Sequence, residues 1–227
     1  MNNLFDKKES WGKRKRKNWQ DKALAEMVRL GYEKSVRLRK MLDDAAIDPE
    51  EITSREDLER LPVTSREKLV EMEQLYPPYA GFENPDIPID RIFTSPGPVY
   101  EPHLSETDYL WARAFFAAGI GPKDIALNAF SYHLVAAGLT FHNGLRRVGA
   151  TVVPSGTSSS QIQVQLIRDL KVTAYVGTPS FLKSIIDKSN EMGFDFKKDF
   201  RVKRACFAAE PLLPDLRRSF ENDYGMD

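Results

Sequence analysis

The sequence runs to 227 residues, enough for one large domain or a compact pair of smaller ones with a sizeable core. Its 41% hydrophobic and 29% charged content is that of an ordinary globular chain, and a formal net charge of +0 removes any global pull toward nucleic acid or anionic lipid. No apolar run approaches the ~20 residues that cross a bilayer, the opening MNNLFDKKESWGKRKRKNWQ lacks the apolar centre of a signal peptide, and a lone cysteine, Cys206, excludes an internal disulfide and a multi-cysteine zinc site. A reducing cytoplasm is the expected compartment.

Residues 1–85 read as a helical N-terminal segment. The basic run at 12–17, GKRKRK, is flanked by Asp6, Glu9 and Asp21, which favours a solvated arm or a partner contact over nucleic acid. Across 21–45, Leu24, Met27, Val28, Tyr32, Val36 and Leu38 recur near helical spacing with charges between them. Ser54 with Asp57 three residues on predicts a capped short helix, and Thr64 or Ser65 predicts another. The stretch 76–90, YPPYAGFENPDIPID, is rich in proline and glycine and reads as an extended surface segment.

From Arg91 onward apolar, strand-like runs alternate with amphipathic helical ones. Strands are expected within 124–130, 150–156, 172–177 and 202–208, with helices at 133–149, 160–171, 179–193 and 214–225. This alternation predicts an α/β fold over 86–227, a mostly parallel sheet flanked by helices. In such sheets ligands gather at the carboxyl ends of strands, which directs attention to 94–103, 130–133, 154–159, 177–180 and 208–212. Four of these loops, TSPGP, PSGTSSS, VGTPS and FAAEP, are built from small or kinked residues that let a ligand approach the backbone. Cys206 falls within an apolar strand and reads as an inert buried thiol.

From about Leu61 onward the chain resembles the phenylacetate–CoA ligase branch of the adenylate-forming enzymes. The segments that carry the resemblance are LPVTSREKL (61–69), FSYHLVAAGLTFHNGLRRVGATVVPSGTSSSQIQVQLIRDL (130–170), VGTPSFL (176–182) and FAAEPLLPDLRR (207–218). The resemblance implies ATP-dependent activation of a small aryl or acyl carboxylic acid through an acyl-adenylate, with ATP/AMP, Mg²⁺ and CoA taking part. It places Ala208, Ala209, Glu210 and Pro211 on an adenine-contacting turn, with Ala208 where the family carries glycine. It places Ser95 and Gly97 in the phosphate loop. There, however, Pro96 and Pro98 lack amide donors, Val99 replaces a hydroxyl, Tyr100 stands for a glycine and Glu101 for a lysine. A like charge at ~4 Å from a phosphate costs about 1–4 kcal/mol, so weakened ATP binding is expected.

The resemblance also sets Tyr132 and His133 near the acyl pocket, with Val135, Phe141, Gly156 and Thr157 as further substrate-facing candidates. Each has a plainer alternative: a turn aromatic, a surface imidazole, helix-core packing or a strand-end turn. His142 and the turn Thr178–Ser180 read as structural, and Glu210 is divided between a ligand contact and charge complementarity at a helix start. The family would continue past the Asp227 end of this sequence. An inactive fragment, half of a split ligase with a complementary subunit, a homo-oligomer, or a non-catalytic binding module are therefore all expectations to carry forward. Neither a membrane nor a nucleic-acid partner is expected.

Overall fold

A computed structural model of the chain describes residues 4–226. The first three residues of the opening segment and Asp227 lie outside the described residues. The chain forms two compact units, Met1–Leu104 and Ser105–Asp227.

The first unit carries helices α1 (Lys13–Lys34), α2 (Val36–Asp44) and α3 (Arg66–Leu75), joined by 3₁₀ turns at Pro49–Glu51 and Arg55–Arg60. The helical run at 21–45 is two helices, not one. Ser35 takes an extended conformation between them, its Oγ accepting from Leu38 N at 3.1 Å and donating to the Gly81 carbonyl at 2.9 Å. Val28, Leu42, Ile47 and Ile52 form the unit's buried core. The basic run makes up the first turns of α1 rather than a free arm, and Lys17 bonds Asp21 at 3.1 Å and Glu56 at 2.9 Å. Ser54 and Asp57 form the expected reciprocal cap, and Ser65 caps α3 through Lys68 N. The 76–90 stretch is not wholly surface: Tyr79 and Ala80 are buried. The backbone there is held by Arg37, whose Nε donates to Ala80 O and whose amide donates to Gly81 O, both at 2.9 Å.

The segment 91–103 is a correction to the expected strand-end loop. It is an antiparallel hairpin of β1 (Arg91–Ser95) and β2 (Val99–His103), closed by Pro96–Gly97–Pro98 with Ser95 opposite Val99. Proline needs no amide partner, so both can occupy a turn whose flanking strands satisfy each other.

The second unit opens with a 3₁₀ turn at Ser105–Tyr109 and α4 (Leu110–Ala117). A four-stranded parallel sheet follows: β3 (Ile125–Asn128), β4 (Thr151–Val153), β5 (Ala174–Gly177) and β6 (Arg204–Phe207), in the order β4-β3-β5-β6. Helices α5 (Ala136–Arg147), α6 (Ser160–Asp169) and α7 (Pro179–Glu191) connect the strands, with the single turn α8 (Phe196–Asp199) before β6 and α9 (Pro214–Asn222) after it. Every residue of β5 is buried, as a central parallel strand covered on both faces requires. Leu127, Val164, Ile167, Leu182, Ile185 and Ile186 pack around Tyr175 in the core. At the amino edge of the sheet, Asp124 ties three segments. Its carboxylate accepts from Gly121 N at 2.9 Å, Thr173 Oγ1 at 2.8 Å and Arg204 Nη1 at 3.1 Å. Among the described residues no helix is long and apolar enough to cross a membrane.

Candidate functional site

The carboxyl edge of the parallel sheet carries the second-unit candidates in two groups, the first built on one buried side chain. Asn128 closes β3 fully buried. Its Nδ2 donates to Tyr132 Oη at 2.9 Å and to the Gly138 carbonyl at 2.8 Å, while Oδ1 accepts from Phe130 N at 3.3 Å. Its own carbonyl accepts from Gly156 N at 3.0 Å and Ser155 Oγ at 3.2 Å. One asparagine thus fixes both the 129–135 loop and the 154–159 loop. Gly138 makes this possible: a Cβ there would stand 2.2 Å from the Ser131 carbonyl, so only glycine lets the loop lie on α5.

Tyr132 is half-buried, and its hydroxyl lies 3.2 Å from His142 Nδ1. Burial, and secondarily the Arg146 charge, lowers the His142 pKa below its usual value. The Asn128 amide already donates to the Tyr132 oxygen, so with His142 in its Nε2–H tautomer the hydroxyl donates on to Nδ1, and the chain runs from Asn128 to Tyr132 to His142. Burial raises the Tyr132 phenol pKa, against a smaller lowering from the Asn128 hydrogen bond. The hydroxyl therefore stays protonated.

The other candidates here are placed unequally. Gly156 is buried with φ +58°, and a Cβ on it would lie 3.8 Å from the Tyr132 ring; Thr157 next to it is exposed. His133 is exposed, its amide donating to Ser131 Oγ at 3.1 Å. Val135 sits half-buried at the N-cap position of α5. Phe141 is buried in an aromatic cluster, with ring centroids 4.6 Å from Trp111, 5.0 Å from Phe130 and 6.0 Å from Phe115.

A second group lies at the ends of β5 and β6. Thr178 caps α7 through Phe181 N at 3.2 Å. The exposed Glu210 carboxylate accepts from Ser180 Oγ at 2.8 Å and from Ser180 N at 3.3 Å, which sets its charge at the positive end of α7. Half-buried Ala208 donates its amide to the Gly177 carbonyl at 3.3 Å, exposed Ala209 has φ +71°, and Pro211 is exposed. Left-handed backbone at an alanine is disfavoured, and here it falls in the bend that follows β6. Burial, then the Glu210 charge, drives the Tyr175 phenol pKa far up; its hydroxyl donates to the Thr178 carbonyl at 3.1 Å. Burial alone pushes the Cys206 thiol up to about 11, consistent with an inert side chain.

In the first unit the hairpin tip is internally satisfied. Ser95 Oγ donates to Glu101 Oε1 and accepts from Arg66 Nη2 at 2.9 Å. Arg66 also holds the Pro96 carbonyl, through Nε at 3.0 Å and through Nη2. Gly97 is exposed at the turn, its peptide bond to Pro98 cis. Ser95 and Gly97 therefore sit together, but the serine hydroxyl is engaged and the two flanking prolines offer no N–H. This tip does not fit a triphosphate. Among the described residues no group of three or more His, Cys, Asp or Glu is placed to hold a metal ion.

Asn128 was missed in the sequence, although a lone amide at the end of an apolar run is a readable sign of a buried polar tie. So was Gln163, fully buried, whose Nε2 donates to the Gly156 carbonyl at 2.9 Å.

The arrangement of parallel sheet, crossing helices and small-residue strand ends is the fold of an adenylate-forming acyl-CoA ligase. It matches 2-hydroxyisobutyryl-CoA ligase, crystallised in an open conformation with 2-HIB-AMP and CoA, with a TM-score of 0.87 and 23% identity over 94% of this chain and 48% of that one. Among curated proteins the chain is 30% identical over 204 residues to phenylacetate-coenzyme A ligase of Pseudomonas putida, which is 86% of this chain and 45% of the relative. It is 28% identical over 215 residues to the enzyme of the same name from Thermus thermophilus, 91% of this chain and 47% of the relative. The chain resembles the phenylacetate–CoA ligase branch of the adenylate-forming enzymes, and it spans about half the length of the curated relatives it matches. No protein-family model matches it.

Proposed function

We propose that the chain is the acid- and nucleotide-facing portion of an acyl-CoA ligase that acts on a small aryl or acyl carboxylic acid. In that reaction a carboxylate oxygen displaces pyrophosphate from the α-phosphorus of ATP. The CoA thiol then attacks the acyl carbon, AMP leaves, and the thiol proton is released. The observation that carries the reading is that the loops within the resembling segments, 130–133, 154–159, 177–180 and 208–211, all leave the carboxyl ends of the four parallel strands. In this reading the acyl group lies by Tyr132, Val135 and Phe141, with Gly156 and Thr157 lending backbone. The 208–211 turn faces adenine.

A second reading has its own observation. The hairpin tip consumes the groups a triphosphate would need, which favours a binding module that holds the acid or AMP without phosphoryl transfer. Incubation with phenylacetate, ATP, Mg²⁺ and CoA, followed by pyrophosphate release and thioester formation, tests the first reading. Calorimetry with the acid and with AMP tests the second. Thioester supports the ligase. Acid or AMP binding without pyrophosphate release supports the module. Failure to bind any arylacetic acid or AMP overturns both.

A further inference from the structure

The net charge of the whole chain is +0, but its cations are not spread evenly. Residues 4–20 hold seven of them, Lys7, Lys8 and the run 13–17, against two carboxylates, Asp6 and Glu9. A 3₁₀ turn (Lys7–Ser10) and the first turns of α1 gather these charges at one end of the helix. Lys17 is engaged with Asp21 and Glu56, whereas none of the other six makes an ion pair among the described residues. Those six are exposed. Net charge argues against a membrane partner only at long range. At physiological salt the screening length is about 8 Å, so a surface in contact meets the local charge.

The same end of α1 carries indole rings. Trp11 and Trp19 meet edge to face, their centroids 6.1 Å apart. Lys15 Nζ lies 4.4 Å from the Trp11 centroid, and Lys8 Nζ lies 4.1 Å from that of Trp19. Trp19 is exposed and opens an apolar row, with Met27 and Leu30, also exposed, further along the helix. At 3.6 residues per turn the three fall within about 80° of one another and span about 16 Å. Lys15 and Arg16 flank Trp19 on this face, within about 60° on either side. The opposite side of α1, with Leu24 and Val28, packs into the unit's core. The row is therefore a second apolar face, which folding of the unit does not use. Glu26 lies beside it in angle and is paired with Lys22 at 3.7 Å.

We propose that this face of α1 docks on an anionic membrane surface. Trp19, Met27 and Leu30 enter the boundary between headgroups and acyl chains, and Lys7, Lys8 and the run 13–16 meet lipid phosphates. Tryptophan beside lysine, with apolar side chains in line, suits a boundary that is charged on one side and apolar on the other. Clustered Lys and Arg on such a helix add attraction to anionic lipid. A nucleic acid offers phosphates to the cations but nothing to Met27 and Leu30. The contact is peripheral, with the helix lying along the surface. It is independent of the ligase reading, whose site lies on the parallel sheet of the other unit.

The test is co-sedimentation of the intact chain with vesicles of phosphatidylcholine alone and of equal parts phosphatidylcholine and phosphatidylglycerol. The mixed vesicles are expected to bind at least about tenfold more tightly. Lys15→Gln with Arg16→Gln should lower that affinity about tenfold or more, and Met27→Ser with Leu30→Ser about tenfold. All four side chains are exposed, and the lipid comparison uses the unaltered chain, so it stands even if a variant misfolds. No binding to mixed vesicles, equal binding to both kinds, or wild-type affinity in either folded double variant overturns the proposal. Binding to polyuridylate or polyglutamate without binding to mixed vesicles overturns it in favour of a nucleic acid or an acidic protein.

Discussion

Replacing Asn128 with alanine tests whether one buried amide organises the sheet edge. The substitution deletes the donors to Tyr132 Oη and the Gly138 carbonyl, and the acceptor of Phe130 N. A net hydrogen bond contributes about 0.5–1.5 kcal/mol, and a buried group left unpaired costs about 1–3 kcal/mol. With two good bonds lost in a fully buried place, the expected destabilisation is about 3 kcal/mol. At about 2–4 °C per kcal/mol for a chain of this size, the midpoint should fall by about 6–12 °C. Asn128→Asp keeps the shape but turns an acceptor toward the Tyr132 oxygen and the Gly138 carbonyl, so it should be at least as damaging. Tyr132→Phe removes only one end of the tie. In a double-mutant cycle with Asn128→Ala, measured by guanidinium denaturation, the coupling should be about 1 kcal/mol. A loss for Asn128→Ala within about 0.5 kcal/mol, the level of an ordinary surface change, would refute the reasoning.

Three other outcomes follow from the geometry. Gly177→Ala puts a Cβ 2.1 Å from Tyr175 Oη and 2.4 Å from its Cζ; Tyr175 is fully enclosed and cannot yield, so a destabilisation of about 1–3 kcal/mol or more is expected by denaturation. The folded-state pKa of His142 lies below its ordinary value of 6.5. The folded chain therefore binds fewer protons than the unfolded one, and this contribution is complete above 6.5 and is lost as pH falls through the lowered value. His142→Gln should flatten the denaturation midpoint's pH dependence across that window. Glu73→Ala removes the carboxylate that accepts the Tyr100 amide. Exchange of that amide, followed by NMR, should quicken by about ten- to a hundredfold, the equivalent of roughly 1.5–3 kcal/mol for a hydrogen bond to a charged group; an unchanged rate would show that the hairpin alone protects it.

The parallel sheet was legible because its strands are apolar runs separated by helical periods. β3 to β6 each fall inside a segment that the residue pattern marks as a strand. Two features of the first unit were not legible, for different reasons. Helical spacing continues across Ser35, and what turns the chain there is the Gly81 carbonyl, 46 residues away; no local window contains that partner. The hairpin was hidden by its own turn. Two prolines and a glycine within three positions read as a loop, and the strands on either side are only five residues long. Among the site residues, Tyr132 and Gly156 could be chosen from their places at strand ends. That they share Asn128 could not, because the link depends on β3 and β4 lying side by side.

The hairpin shows how several changes that look like separate losses in the sequence work together in space. Proline at 96 and 98 removes amide donors, but the turn needs none, since Arg66 takes the Pro96 carbonyl. Glutamate at 101 would repel a phosphate, yet here it accepts the Ser95 proton, and Arg66 supplies the serine oxygen with its donor. The Ser95 hydroxyl, the Glu101 carboxylate, the Arg66 guanidinium and the Pro96 carbonyl are thus paired with each other. Restoring a positive charge at 101 alone would remove the acceptor of Ser95 and set two cations beside the same turn, Arg66 being the other. The tip is better described as a closed structural turn than as an open phosphate loop with one wrong residue. Its chemistry would change only if the prolines, the glutamate and the Arg66 tether changed together.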